Sequence, residues 1–400
     1  MRLPRDGWQG RVLLVALLSM TGNQAARPMV TYRALELDAT AAQLGLVAGS
    51  FALLSSLMAT PLGRWIDRLG EPLFMALGTG LLTVSAVLLG LSDALPALIA
   101  AQALLGLGQV ASLIGLQAIM ANAGDPAGRD GRFGTLTVVA SLAQMVGPTV
   151  SGAAYGAGVS LTTVFLSTAV PLGLGIAVSV GLMLRPPASR ETATAGAGAT
   201  QQPFFRAVRT VMGQPGVPHA MLASLTVLAS IDLLIAYLPA WGEANGIAPG
   251  TIGLLLGVRA AAGLVSRVLM LRMLRVMARR TLLAGSMVLP ALMLAALPLT
   301  TAVPVLVVLL AVAGFGLGLG QPLSLATIAD EVAPGMRGTA MGVRITGNRL
   351  AQLLLPVAAG LVAGAAGLGS IFVLSGGLLG ASAASVRRAP SGRCPGVPSS

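Results

Sequence analysis

Apolar stretches of about twenty residues, separated by short polar turns, recur along nearly the whole chain. Crossing the ~30 Å hydrocarbon core of a bilayer as α-helix takes ~20 residues, so the pattern confines the chain to a polytopic membrane fold. Composition agrees, because only 10% of residues are charged, whereas a water-facing surface is built from about 25%. The stretches are rich in Gly, Ala and Leu and lack the sustained polar/apolar alternation of a membrane β-barrel. The expected fold is all-α, with about twelve transmembrane spans near residues 12–32, 42–62, 73–92, 94–121, 134–155, 160–184, 219–241, 250–270, 281–299, 303–328, 339–362 and 367–386.

A formal net charge of +12 invites a nucleic-acid reading, but its distribution points elsewhere. All basic residues are arginine, and on these spans twenty lie on one side of the membrane while Arg33 alone lies in a loop on the other. Such a bias follows the positive-inside rule and places both termini in the cytoplasm, with an even number of spans. The basic charge therefore reports topology, and no nucleic-acid partner is expected. Arg2, Arg5 and Arg11 before the first apolar stretch imitate a signal peptide. Asn23, Gln24 and Arg27 in its second half, with no small-residue cleavage site, mark it instead as a retained first helix. The lone cysteine, Cys394, rules out an intrachain disulfide.

The longest polar stretch, 185–218, contains a low-complexity run from Thr192 to Thr200 and several prolines and glycines. It reads as a flexible cytoplasmic linker. It divides the chain into a six-helix bundle at 1–184 and a second at 219–386, followed by a cytoplasmic tail at 387–400. Sliding one half along the other at a single offset of 208 residues aligns Gly45 with Gly253, Gly49 with Gly257, Gly106 with Gly314 and Gly108 with Gly316. The same offset pairs Pro126 with Pro334, Arg129 with Arg337, Gly134 with Gly342, Gln144 with Gln352, Pro148 with Pro356 and Gly152 with Gly360. Recurring Pro, Gln and Arg at one offset indicate an internal repeat. Two six-helix repeats with cytoplasmic termini are parallel, related by an axis along the membrane normal.

After the second span the sequence reads Gly63-Arg64-Trp65-Ile66-Asp67-Arg68-Leu69-Gly70. It resembles the signature loop between helices two and three of the major facilitator superfamily, with Glu71 standing where the family usually has a basic residue. The resemblance implies that Gly63, Asp67, Arg68 and Gly70 belong to an inner gate. The second-half copy, 271–280, has Arg275 in place of the aspartate and is degenerate. On the fifth span, Ala143 to Gly152 resembles the fifth-helix motif of proton-coupled facilitator antiporters, with Ala143 and Ser151 in place of glycines. Gly147, Pro148 and Gly152 would serve there as a close-packing surface. Gln102 stands where many proton-driven members carry arginine.

Ionisable groups inside spans cost about 2.5–3.5 kcal/mol each at a helix centre and normally face a cavity or a partner. Here they are Arg27, Asp232, Arg259, Arg344 and Arg349. The alternative to a functional role is a structural ion pair of Asp232 with Arg259, or snorkelling of Arg27 and Arg344 towards an interface. Asp232 is the candidate proton-coupling site, because arginine stays protonated at accessible pH whereas a carboxylate need not. The resemblance places helices one and seven at a central cleft with helices eight and eleven beside it. Arg27, Arg259 and Arg344, with Asn23, Gln24, Gln109 and Asn348, are then the candidate substrate-binding residues. Arg344, Asn348 and Gln352 recur every four residues, along one helix face. The surplus of arginine favours a carboxylate or phosphate, gripped by paired hydrogen bonds.

No His or Cys cluster offers a metal site, and a chain without lysine has no phosphate-binding Gly-Lys-Ser/Thr loop. No cofactor is expected, and no enzyme activity. The expected function is secondary active transport of a small solute across the cytoplasmic membrane by a monomer, with protons as a coupling partner and an organic anion as cargo. The alternatives are a multidrug efflux antiporter and a non-transporting sensor on the same fold.

Overall fold

The computed structural model describes residues 7–123, 128–184, 204–332 and 336–388, and it leaves the side chains of 59–64, 66–69, 130 and 204–207 undescribed. Most of the linker (185–203), most of the tail with Cys394, and the repeat-related Pro126 and Pro334 lie outside these residues. Within them the chain is all-helical. The first half contains α1 (Trp8–Glu36), α2 (Ala41–Leu69), α3 (Glu71–Leu91), α4 (Leu95–Asn122), α5 (Arg129–Gly156) and α6 (Leu161–Leu184). A short helix, α7 (Phe204–Met212), precedes α8 (Val217–Ala244), α9 (Pro249–Val276), α10 (Arg279–Ala296), α11 (Val303–Glu331), α12 (Arg337–Ala366) and α13 (Ser370–Arg388).

Eleven of these helices, α2 to α6 and α8 to α13, are long and apolar enough to cross a bilayer. The other long helix, α1, has 29 residues, with Arg11, Arg27, Arg33 and Glu36 diluting its hydropathy. Its polar middle is shielded by protein, since Ser19, Asn23 and Thr31 are buried. Several helices start on a proline in the first turn, as in α3, α4, α8, α9 and α11, where the missing N–H has no helical partner to lose.

Three expectations change. The stretch from Gly63 to Leu69 is the last two turns of α2 and not a loop, and the connection to α3 shrinks to Gly70, whose φ of 90° suits glycine. In the second half, α9 likewise continues to Val276. Hydropathy marks only the part of a helix inside hydrocarbon, whereas the backbone ladder continues into the polar interface. Third, residues 204–212 of the expected linker are helical. Val211 of α7 is buried with Val217, Met221, Ile328, Val332 and Ala340 beneath the ends of α8, α11 and α12.

The 208-residue repeat is visible in the packing. Within the first half α3 packs on α4 and α6, and α2 on α4; in the second, α10 packs on α11 and α13, and α9 on α11. Between halves the principal contacts are α5 with α9 and its counterpart α12 with α2, and α1 meets α8 near the axis. The glycines of the repeat make these approaches. A Cβ on Gly45 would sit 2.5 Å from the Pro356 carbonyl oxygen, and one on Gly253 would meet the equivalent carbonyl oxygen of Pro148. A Cβ on Gly360 would lie 2.6 Å from the Ala41 carbonyl oxygen and one on Gly152 2.7 Å from that of Pro249, again positions 208 apart. All four contacts lie at the membrane face opposite the chain termini. Nearer the terminal face, repeat-related Gly134 and Gly342 have open space where a Cβ would point. With 72% of its spanning window buried, against 28% for α12, α8 is an internal helix that carries Asp232 to the axis.

Candidate functional site

Asp232 and Arg27 meet where α8 and α1 cross. Arg27 Nη2 donates to Asp232 Oδ1 at 2.8 Å, and Gln352 Nε2, from α12, donates to Oδ2 at 2.6 Å. Arg349 Nη1 donates to Gln352 Oε1 at 3.1 Å, extending the chain along α12. The Arg27 guanidinium carbon lies 4.4 Å from the centroid of the Phe51 ring, a cation–π distance. Three ion pairs occur among the described residues, Arg27–Asp232, Arg33–Glu36 and Arg279–Asp330, and the first alone joins the two halves. Thr31 adds a second link from α1 to α8, donating to the Ala236 carbonyl at 2.8 Å.

These groups line a narrow cleft between the halves, with a solvent-accessible volume of about 20 Å³. Arg27, Asp232, Gln102, Gln352 and Thr31 give it a polar side. Val30, Leu44, Val47, Phe51 and Ile235 make the remainder apolar. Gln102 is buried and its Oε1 has no partner. A buried amide oxygen with no donor is costly, and in a cleft it is an acceptor free for a solute.

The alternative ion pair of Asp232 with Arg259 is not formed; the carboxylate goes to Arg27. Arg259 lies on α9 in the interior of the second half, 5% exposed and outside the cleft lining, with its Nε buried and unpartnered. Nor does Arg27 snorkel, since it is held at the axis. Arg344 and Asn348 belong to a separate cluster: Arg344 Nη2 donates to Gln321 Oε1 at 2.6 Å, and Ser224 Oγ to Asn348 Oδ1 at 3.2 Å. The α12 stripe therefore faces α8 and α11, and only Gln352 at its far end reaches the cleft. Asn23 is buried one turn before Arg27 with its Oδ1 unpartnered. Gln109 lines a small pocket with Ser19 and Ser112 inside the first half, away from the cluster. Gln24 packs beside Gly147, where a Cβ would meet its Cβ at 2.9 Å.

On α5, Gly147 faces α1, while Pro148 and Gly152 face α9. The side chains of Asp67 and Arg68, and the surroundings of Gly63, lie outside the described residues. Gly70 makes the α2–α3 turn, and the next residue, Glu71, accepts from Asn122 Nδ2 at 2.8 Å, joining the ends of α3 and α4. Phe51 and the Gln352 bond to Asp232 were not anticipated. Nor was a further bridge between halves, Arg267 Nη1 donating to Ser141 Oγ at 3.1 Å.

Two parallel six-helix bundles around a central, partly charged cleft define a polytopic membrane protein of the carrier type. The chain belongs to the Major Facilitator Superfamily, which it matches over residues 12–244 and 220–393. A variant of the nucleoside transporter NupG superposes with a TM-score of 0.79 at 13% identity, covering 95% of this chain and 98% of that one. A bacterial homologue of the human lysosomal transporter Spinster, inward-facing and occupied, gives 0.75 at 17% identity, with 97% of both chains covered. A variant of the peptide transporter POT in complex with sulfate gives 0.74 at 13% identity, covering 95% and 94%. At these identities the likeness concerns the fold. No curated protein matches the chain in sequence.

Proposed function

We propose that the protein is a secondary active transporter of the cytoplasmic membrane that moves a small organic anion by alternating access, with Asp232 as its proton site. The observation that carries this reading is the Arg27–Asp232 bridge, an ion pair that both lines the central cleft and ties one half to the other. A solute that binds Arg27 acts at once on the site and on the contact between halves. The arginine bias supports cytoplasmic termini, and with that orientation the glycine contacts seal the outer face. Among candidate substrate residues the geometry ranks Arg27 first. Arg259 acts on Asp232 through its charge, and Arg344 supports α12 through Gln321.

In proteoliposomes, uptake or efflux of a labelled organic anion is expected to be competed by other organic anions. It should fall by one to two orders of magnitude in Arg27→Gln, which loses a charge-assisted contact worth about 1.5–3 kcal/mol. Arg259→Gln should reduce it less, and Arg344→Gln least. The apolar walls favour a second reading, efflux of a lipophilic compound, in keeping with the fifth-helix resemblance to antiporters. Selective transport of cationic dyes, undiminished in Arg27→Gln, would establish that reading against the first.

The gate assignment makes a separate prediction. Asp67 lies two turns beyond the spanning part of α2, far along the helix from Val47 and Phe51 at the cleft. Asp67→Asn is expected to slow turnover several-fold while leaving equilibrium solute affinity intact. A mutant that transports at the normal rate removes Asp67 from the gate.

A further inference from the structure

The polar cluster around Arg344 stands apart from the cleft. Arg344 and Asn348 of α12 meet Gln321 of α11 and Ser224 of α8, and none of the four lines the cleft. Arg344 precedes Gln352 by two turns of α12, which puts it about 12 Å nearer the terminal face at a rise of 1.5 Å per residue.

The internal repeat supplies a control. At the 208-residue offset Arg344, Asn348, Gln321 and Ser224 correspond to Leu136, Ala140, Leu113 and Ala16. Those four belong to one apolar core of the first half, with Ala16 and Leu136 buried and Leu113 and Ala140 packed against it. Hydrocarbon therefore satisfies the fold at these places, and the second half departs from it at all four together. An arginine inside a membrane span is costly and normally meets a partner charge. The departure calls for a partner that the packing does not provide.

Hydrogen bonding defines the chemistry of that partner. Arg344 makes no ion pair with a described carboxylate. Its Nη2 donates to Gln321 Oε1, its Nε is buried without a partner, and its Nη1 makes no hydrogen bond among the described residues. Ser224 Oγ donates to Asn348 Oδ1, and Gln321 Nε2 donates to the Ser224 carbonyl at 2.7 Å. Both amide oxygens are thus occupied, and the groups left free are donors: Arg344 Nε and Nη1 with Asn348 Nδ2, one turn away. A guanidinium with an amide donor beside it complements an oxyanion, whereas a cation would find no acceptor. Ser224 and Asn348 are buried while Arg344 and Gln321 are half-buried, so the cluster is reached from its charged side. We infer that Arg344 and Asn348 form a second anion site, separate from the cleft, for an oxyanion of the phosphate class, free or borne by a lipid headgroup. Occupancy neutralises Arg344 and braces α12 against α8 and α11.

Radiolabelled sulfate, whose charge is fixed near neutral pH, is the probe for the purified full chain in neutral detergent. Saturable binding of about one sulfate per chain is expected, with the same affinity in Arg27→Gln. In Arg344→Gln the affinity should fall about ten- to a hundredfold, as a charge-assisted contact is lost. Arg344→Lys should bind at intermediate strength, because it keeps the charge and loses the planar fork. The double variant Arg344→Leu with Gln321→Leu installs the residues that the first half carries at the corresponding positions; it should bind no sulfate, and it serves if Arg344→Gln does not fold. Nanodiscs separate the two sources. Displacement of sulfate by phosphatidylglycerol added to phosphatidylcholine discs assigns the site to a headgroup, and undiminished binding assigns it to a free oxyanion; either supports the site. Sulfate binding that is lost in Arg27→Gln and retained in the Arg344 variants places the anion in the cleft and overturns the second site. Absence of saturable binding by the parent in both detergent and phosphatidylcholine discs overturns it as well.

Discussion

Replacing Gly253 by leucine is expected to abolish transport without unfolding the protein, leaving the cleft open at the face opposite the termini. A Cβ at this position would meet the Pro148 carbonyl oxygen and approach Gly152 Cα at 3.1 Å. Both obstacles are backbone, which cannot rotate away as a side-chain tip does. The halves must separate at this point, and overpacking of this kind costs about 1–3 kcal/mol. Each 1.4 kcal/mol is tenfold in a conformational equilibrium, so the closed state loses roughly one to two orders of magnitude in population. Gly45→Leu should act alike through the Pro356 carbonyl. The measurement is labelling by an impermeant thiol reagent of a cysteine at Ala48, a cleft-lining position, in a Cys394→Ser background. Faster labelling from the face opposite the termini is expected, with thermal stability in detergent close to the parent's. Normal transport with unchanged labelling would show that these approaches are not the seal.

The second large effect concerns stability, and it is asymmetric. Asp232→Asn leaves Arg27, Arg259 and Arg349 facing one another with no carboxylate among them. Leaving buried charge uncompensated costs about 3–5 kcal/mol. Arg27→Gln removes one cation from a carboxylate that still has Gln352 bonded to it and Arg259 and Arg349 nearby, so about 1–3 kcal/mol is expected. The double variant should be more stable than the sum of the singles implies, because it removes both members of the pair. Equilibrium unfolding in detergent of the parent, both singles and the double measures this cycle. Additive losses, or a smaller loss for Asp232→Asn than for Arg27→Gln, would mean that the pair is not coupled as drawn.

The architecture was legible in the sequence because bilayer constraints are strong. Span length and the 208-residue repeat each follow from position along the chain, and the repeat aligned glycines that the structure places at the contacts between halves. Helix azimuth was not legible. Asp232 and Arg259 look like natural partners as the ionisable residues of consecutive spans, yet α9 holds Arg259 inside its own half. The repeat did contain a signal: Asp232 corresponds to Gln24, three residues before Arg27, and helices related by the axis face each other across it. Helix ends were misjudged where polar residues continue the backbone ladder, as at Asp67 and Arg275. Residues 204–212 were read as linker because a short amphipathic helix carries too little apolar length to register.

The glycine approaches between the halves set glycine against carbonyl oxygen at two sites 208 residues apart, and at one of them the buried Tyr237 hydroxyl donates to the Pro356 carbonyl at 2.8 Å. Salt screens charge pairs, and protons titrate carboxylates, but neither alters the van der Waals fit of one backbone on another. The axis, by contrast, is held by a guanidinium and a carboxylate. Ionic strength and acidity therefore act more strongly on the Arg27–Asp232 axis than on the glycine contacts at the face opposite the termini.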